Sequence, residues 1–220
     1  MAVVAPYPVT YEISRPERYN RWTVAFRLIL AIPQIILVGG SSYNLFNPFT
    51  YLSRRGSSLF FPLFSGGLLS AVLGILVFFA WFAIMFTGRF PGFRSFCLMI
   101  YRWQQNVAAY MALQAAPYPP FGEGPYPLQI EVVPTEDHKR LTIFFRLFMV
   151  IPHLIVLWFL GFAQGVVSVI AWFAILFTGQ FPEGLFGFSV GVSRWAARVS
   201  AYALLFVDEY PPFSLDPQPA

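Results

Sequence analysis

The stretch AWFAILFTGQFPEG, Ala171–Gly184, restates AWFAIMFTGRFPGF, Ala80–Phe93, ninety-one positions further on, and ten of the first twelve residues are identical. Self-similarity defines the folding unit, so it is settled before any fold is proposed. PYP at Pro6–Pro8 recurs at Pro125–Pro127, an offset of 119. FRLILAIPQIILV, Phe26–Val38, matches FRLFMVIPHLIVL, Phe145–Leu157, at that same offset. Arg102-Trp103 pairs with Arg194-Trp195, Tyr110 with Tyr202, and YPPF at Tyr118 with YPPF at Tyr210, all at 92. The sequence therefore reads as two copies of one module, 6–121 and 122–215. The change in offset from 119 to 91 gives the first copy 28 extra residues, within about Gly39–Gly67.

Hydrophobic residues make up 57% of the chain and charged residues 11%, against about 45–50% and about 25% in soluble domains. A chain of 220 residues leaves roughly a quarter to a third of its surface exposed, too much to hide this excess from water. Lipid is the expected cover. The 26 Phe, 6 Trp and 11 Tyr cluster where apolar runs meet charge, as at headgroup depth. One cysteine, Cys97, excludes an internal disulfide and a thiolate metal cage. The opening residues lack a basic segment followed by an apolar core, so the first membrane helix is expected to direct insertion.

Each module opens with a short alternating stretch, Val9/Tyr11/Ile13 or Leu128/Ile130/Val132, which reads as a half-buried strand. Apolar helices are expected at about Trp22–Val38 and Leu68–Thr87 in copy one, and at Leu141–Leu160 and Gly165–Thr178 in copy two. Residues 141–178 give about 57 Å of helix. Halved, that is just under one hydrocarbon thickness per leg, which fits a hairpin turning at GFAQG. A third helix follows in each copy. It sets Phe93, Phe96, Ile100, Trp103, Val107 and Tyr110, or Leu185, Phe188, Val192, Trp195, Val199, Tyr202 and Phe206, on one face. Its arginines fall elsewhere, so it is expected to lie in the membrane interface rather than span it, since two central arginines would cost about 5–7 kcal/mol. The expected fold is an all-α integral membrane protein: four transmembrane helices as two hairpins in a parallel tandem repeat, each with a cytoplasmic amphipathic helix. Of 14 Lys and Arg, all but Arg54 and Arg55 fall on or beside one side, which places both termini in the cytoplasm.

The string FFRLFMVIPHLIVLWFLG, continuing through VIAWFAILFTGQFPEGLFGF and GVSRWAARVSAYALLFVDEYPPFSL, resembles a bacterial membrane family labelled only as a domain of unknown function. The resemblance covers about Arg140–Leu215. Copy one is similar but carries Gln34 where copy two has His153, and RWQQN for RWAAR. The resemblance implies the bacterial cytoplasmic membrane and a two-helix module, and supplies no substrate, cofactor or catalytic residue.

Arg27 and Arg146 sit at matching positions inside the first helix of each copy. Such arginines either snorkel to phosphates and anchor the helix, or meet a lipid headgroup or a buried carboxylate. Arg89, Arg94, Arg102, Arg194 and Arg198 join them as lipid or anchoring candidates, with Arg89 the cation that Gln180 of copy two lacks. Pro33 and Pro152 each free a carbonyl, that of Ile29 or Phe148, and are expected to kink their helices, with Gln34 or His153 alongside. His153 has no second His, Asp or Glu on its helix to make a metal site or proton relay. Glu183, Asp208 and Glu209 are expected to pair with Arg194, Arg198 or another subunit rather than do acid–base work. Neither a phosphate loop, a nucleophile elbow, HExxH nor CxxC is present, so the chain reads as a non-enzyme with no cofactor and no metal. The insertion supplies candidate partner contacts in Phe46, Phe49, Tyr51, Arg54, Arg55, Phe60 and Phe61. The leading expectation is an accessory or structural subunit of a larger membrane assembly, binding membrane proteins or its own copies, and anionic phospholipid, with no nucleic acid. The rival is an oligomeric lipid-binding or small-solute transport module.

Overall fold

Glycine closes both of the repeated apolar helices. Gly88 and Gly179 take the left-handed conformation, φ 79° and 78°, and their N–H groups bond Ile84 O and Ile175 O. A side chain is strained there, so Thr-Gly is a stop signal, as the motif implies. The computed structural model describes residues 7–39 and 67–217. It is mostly helical: β1 (Val9–Ile13), α1 (Arg21–Ala25), α2 (Arg27–Val38), α3 (Leu68–Thr87), α4 (Arg94–Met111), β2 (Leu128–Val132), α5 (Arg140–Thr178) and α6 (Glu183–Ala203). Two helical stretches are long and apolar enough to cross a membrane, Leu68–Thr87 and Thr142–Thr178.

The expected hairpin of copy two is absent. α5 continues for 39 residues, about 58 Å, through the GFAQG segment at 161–165. That segment has glycines but no Pro, Asn or Asp. A lone glycine weakens a helix by about 1 kcal/mol and does not set a turn. α6 also packs alongside, and the Gln164 amide donates to Ser189 Oγ at 2.8 Å. The four-helix expectation therefore fails at this point.

Copy one follows the same path in two pieces. Val38 ends α2, and Gly67, which opens α3, lies so close that an added Cβ would strike the Ile36 and Leu37 backbone. Ser70 Oγ donates to Val38 O at 2.5 Å. Val38 corresponds to Leu157 and Gly67 to Trp158, which are neighbours in α5. The insertion enters where the other helix runs on. A further irregularity falls at Phe26, φ −98° and ψ 10°, which parts α1 from α2 upstream of Pro33.

The start of each long apolar unit lies against the end of the other. Tyr19 N donates to Gly179 O at 3.0 Å, and His138 N to Gly88 O at 2.8 Å. Trp172 Nε1 donates to Val24 O, and Trp81 Nε1 to Ile143 O. These bonds join matching positions reciprocally and set the units antiparallel. β1 and β2 form a two-stranded antiparallel sheet in which Tyr11 faces Ile130, its own counterpart at offset 119.

α4 packs on α2 and α3, α6 packs on α5, and the strands rest on α4 and α6. The expectation of interfacial helices lying flat is corrected here. α4 and α6 form a middle layer, with Ile100, Tyr101, Val107, Ala197, Val199 and Tyr202 buried and Arg198 wholly enclosed. Their second face, which looked polar in sequence, is covered by strands and tails. The long helices take the outside. Phe78, Phe86, Phe144, Phe148, Phe159, Phe173 and Phe177 are all more than half exposed. The only charged side chains within α2, α3 and 142–178 are Arg27 and Arg146, each 3% exposed.

Because Val38 and Gly67 already abut, deleting residues 39–66 is expected to leave a folded protein. Circular dichroism should show unchanged helix content per chain, and the thermal midpoint should hold within a few degrees. Loss of cooperative unfolding would show that the join is not a helix continuation.

Candidate functional site

The two buried arginines organise each half. Arg27 reaches from α2 to the C-terminal end of α4, donating through Nη1 to Tyr110 O at 2.9 Å and through Nη2 to Ala115 O at 2.8 Å and Ala116 O at 3.3 Å. Its guanidinium lies 4.1 Å from the Tyr110 ring centroid. Arg146 does the same from α5, with Nη1 on Tyr202 O at 3.0 Å and the guanidinium 4.4 Å from the Tyr202 ring. A cation is stabilised at a helix C-terminus by the partial negative charge of unpaired carbonyls, and again by an aromatic face. Both guanidinium groups are turned into the protein, each residue being 3% exposed. The sequence reading left open a buried carboxylate, and Arg146 has one: Nη2 donates to Asp208 Oδ1 at 2.6 Å.

Both helices end identically. Leu113 and Leu205 adopt φ 63° and 66°, unusual for residues with a side chain. Leu113 N bonds Tyr110 O and Gln114 N bonds Ala109 O, while Leu205 N bonds Tyr202 O and Phe206 N bonds Ala201 O. This is the paired closure in which glycine normally sits. Leucine hides the stop from a reader of sequence, and no glycine, proline or asparagine marks it. The turn then leads the tail back over α2 or α5.

Gln34 and His153 receive those tails. Gln34 Nε2 donates to Pro119 O at 2.9 Å, and Gln34 Oε1 accepts from Trp103 Nε1 at 2.7 Å. His153 Nδ1 accepts from Trp195 Nε1 at 3.2 Å, which places its proton on Nε2, and its ring stacks on Phe213 at 3.9 Å. Pro33 and Pro152 lie inside their helices, but Gln34 and His153 serve the tails rather than the carbonyls that the prolines release.

Asp208 is where the halves differ most. Its position in copy one is Ala116, whose carbonyl takes its place before Arg27. In copy two His138 Nδ1 meets Asp208 Oδ1 at 2.5 Å, and Lys139 N donates to Oδ2 at 2.8 Å. Burial raises the Asp208 carboxyl, but the hydrogen bonds from His138, Lys139 N and Arg146 outweigh it and lower the pKa to about 2. Asp208 N in turn donates to Thr135 Oγ1 at 3.1 Å, so the cluster ties the start of α5 to the tail. The His138 side chain is wholly buried.

The other five arginines singled out in the sequence, Arg89, Arg94, Arg102, Arg194 and Arg198, each have a protein partner. Arg94 bonds Thr135 O and Glu136, and Arg102 pairs with Glu123 at 3.7 Å. Arg194 donates to Tyr11 O and Leu215 O, and Arg198 to Asp216 O and Pro217 O. Arg89, the cation that Gln180 lacks, pairs with Asp137 at 3.0 Å and stays exposed. Phe46, Phe49, Tyr51, Arg54, Arg55, Phe60 and Phe61 lie outside the described residues. Among the described residues no group of three His, Cys, Asp or Glu is placed to hold a metal ion.

A neutral polar cluster went unforeseen. Tyr11 Oη donates to Gln114 Oε1, Gln114 Nε2 to Ser189 and Ser193, and Gln164 Nε2 to Ser189 and Ser168. The counterparts are Ile130, Phe206, Cys97, Tyr101, Leu73 and Val77, all in or against one hydrophobic cluster. One half builds with hydrogen bonds what the other builds with apolar packing.

Residues 140–214 match the family described as Domain of unknown function (DUF4389). No curated protein and no solved structure matches the chain. The DUF4389 segment starts with α5 and ends in the tail beyond α6, so it contains Arg146, His153, Trp195, Tyr202, Asp208 and Phe213. Its partners His138 and Lys139 lie just outside.

Replacing Asp208 leaves Arg146 facing Tyr202 O alone, and Asp208→Ala is expected to cost about 3–5 kcal/mol at neutral pH. A carboxyl with a depressed folded pKa stabilises fully above its unfolded value, about 3.9, and loses that contribution as pH falls through about 2. Thermal unfolding across pH should therefore show wild type and variant converging in acid. An equal gap at every pH would contradict the tether.

Proposed function

We propose that this chain is a non-catalytic accessory or structural subunit of a bacterial cytoplasmic membrane assembly, built from a duplicated module. The observation that carries this reading is the outer face of the long helices. Over Arg27–Val38, Leu68–Thr87 and 142–178 it is lined by large apolar side chains and carries no exposed charge. Contiguous apolar surface on this scale marks a lipid or protein contact. The exposed charged groups among the described residues lie, by contrast, at the ends of the long helices, in the tails and loops and on the strands.

The reciprocal bonds support a twofold axis through Tyr11 and Ile130, across the long helices. Were that axis in the membrane plane, the exposed carboxylates of Glu12 and Glu131 would sit at mid-bilayer depth, at about 2.5–3.5 kcal/mol each. Along the membrane normal, the sheet faces water and both ends of every long helix reach one interface, the cytoplasmic one with the termini. Upright spanning fits poorly as well. About 58 Å of helix across about 30 Å of hydrocarbon needs a tilt near 60°, beyond the usual range of 0–40°. The long helices accordingly dip into the bilayer and return, offering their apolar face to lipid and to neighbouring membrane proteins. The 28-residue insertion, with Arg54, Arg55 and its aromatic residues, leaves copy one at the middle of this dip and is the expected partner contact.

Purification of the full chain from its native membrane in mild detergent tests the accessory role. Stoichiometric co-purification of another membrane protein, lost on deletion of 39–66, is the expected result. A stable solitary monomer would overturn it.

A further inference from the structure

The two ends of the pseudo-symmetric body should be alike, and their charge is not. At the Gly88 end, Arg89 is paired with Asp137 at 3.0 Å and Arg94 with Glu136 at 2.7 Å. At the Gly179 end the matching positions are reversed. Gln180 stands for Arg89, Arg18 for Asp137, and Arg15 for Pro134. A cavity of about 320 Å³ opens there, lined by Arg15, Pro16, Glu17, Arg18, Gln180 and Phe181. Arg18 has no hydrogen-bond or ion-pair partner among the described residues. Arg15 holds Phe181 O at 3.4 Å and Glu183 only at 3.9 Å, leaving its guanidinium partly uncommitted. Arg21 lies alongside, its Nε within 3.9 Å of where a Cβ on Gly179 would be. Two of the largest exposed aromatic side chains flank this end, Trp22 at 74% and Phe177 at 77% exposed. Aromatic rings beside uncommitted arginines are the pattern of headgroup depth.

We propose that the cavity between the 15–18 segment and Gln180 binds a phosphate group, with Arg15 and Arg18 as the charged donors and the Gln180 amide as a neutral one. The chemistry is a tetrahedral anion on two forked guanidinium groups, the arrangement arginine serves best. Glu17, on the same wall, excludes a second anion and offers an acceptor to a headgroup hydroxyl. At the opposite end Asp137 and Glu136 already pair with Arg89 and Arg94, and Asp137 stands where Arg18 would be needed. The inference rests on the membrane reading above, which puts this end at the interface. The phosphate belongs either to an anionic lipid headgroup or to free phosphate.

Native mass spectrometry of the full chain in detergent decides between these, with phosphatidylglycerol and inorganic phosphate titrated separately. Wild type is expected to bind one ligand. Arg15→Gln with Arg18→Gln should weaken it by roughly tenfold or more, while Arg89→Gln leaves it unchanged and Arg15→Lys with Arg18→Lys keeps most of it. Binding of phosphatidylglycerol that inorganic phosphate does not displace assigns a lipid. Binding of inorganic phosphate alone assigns the free ion. If neither binds, or if the double Gln variant binds like wild type, there is no phosphate site. Should the double variant fail to fold, Arg18→Gln alone, which removes no bond of the fold, carries the same comparison. A solitary monomer that still loses its lipid on these changes would overturn the accessory role and leave the site standing. A protein that co-purifies with a partner but ignores both arginines in lipid binding would do the reverse.

Discussion

A guanidinium stacked on a tyrosine and bonded to the last carbonyls of the neighbouring helix is the interaction on which each half depends. Arg27 and Arg146 are planted in apolar helices, where an exposed charge would be costly. Each is made tolerable by what it meets: Tyr110 O or Tyr202 O, the ring of the same residue, and the tail that follows. The dependence is mutual. Without the arginine, a buried helix end loses a donor; without the left-handed turn at Leu113 or Leu205, the tail cannot come back over the long helix. Gln34 and His153 then fix the tail two turns further along. The outer face of the long helix stays free of charge as a consequence, since its one cation is turned inward.

Symmetry makes the departures from it informative. The same tether is completed by a backbone carbonyl in one half and by Asp208, with His138, in the other. The same interior position holds Leu73, Val77 and Tyr101 in one half and Gln164, Ser168 and Ser193 in the other. Apolar packing suffices for this fold, as the first half demonstrates. A buried polar network in the second half is then a choice about specificity, tying the tail of copy one to α6 of copy two through Gln114. At the helix ends Arg89 and Arg94 are paired with acids on one side, while Arg18 on the other has no partner among the described residues.

Much of this was legible in the residues. Period-two alternation located both strands, and the helix ends at Thr87 and Thr178 were placed where glycine follows, because alternation and glycine stops are local physics. The repeat offsets placed Arg27 with Arg146 and Tyr110 with Tyr202, though not that each pair would touch. Other features required the third dimension. GFAQG looked like a turn because two glycines in an apolar run halve it into bilayer lengths, yet nothing in it forces the chain around. Arginines on α4 and α6 looked like a solvated face because a helical wheel cannot show a strand or a tail lying over it. The pairing of Arg89 with Asp137 was not legible, because the two are 48 residues apart.

Whether the long helices dip and return or cross the bilayer is decided at the centre of α5. Val166, on its outer face and 46% exposed, adjoins the 161–165 segment that a spanning hairpin would present to the far side. In Val166→Cys, the native Cys97 stays silent because it is wholly buried. A membrane-impermeant maleimide applied to sealed vesicles of either orientation should fail to label the new thiol until detergent is added. Labelling in intact vesicles from the extracytoplasmic side would contradict the account, and would restore two separate transmembrane legs.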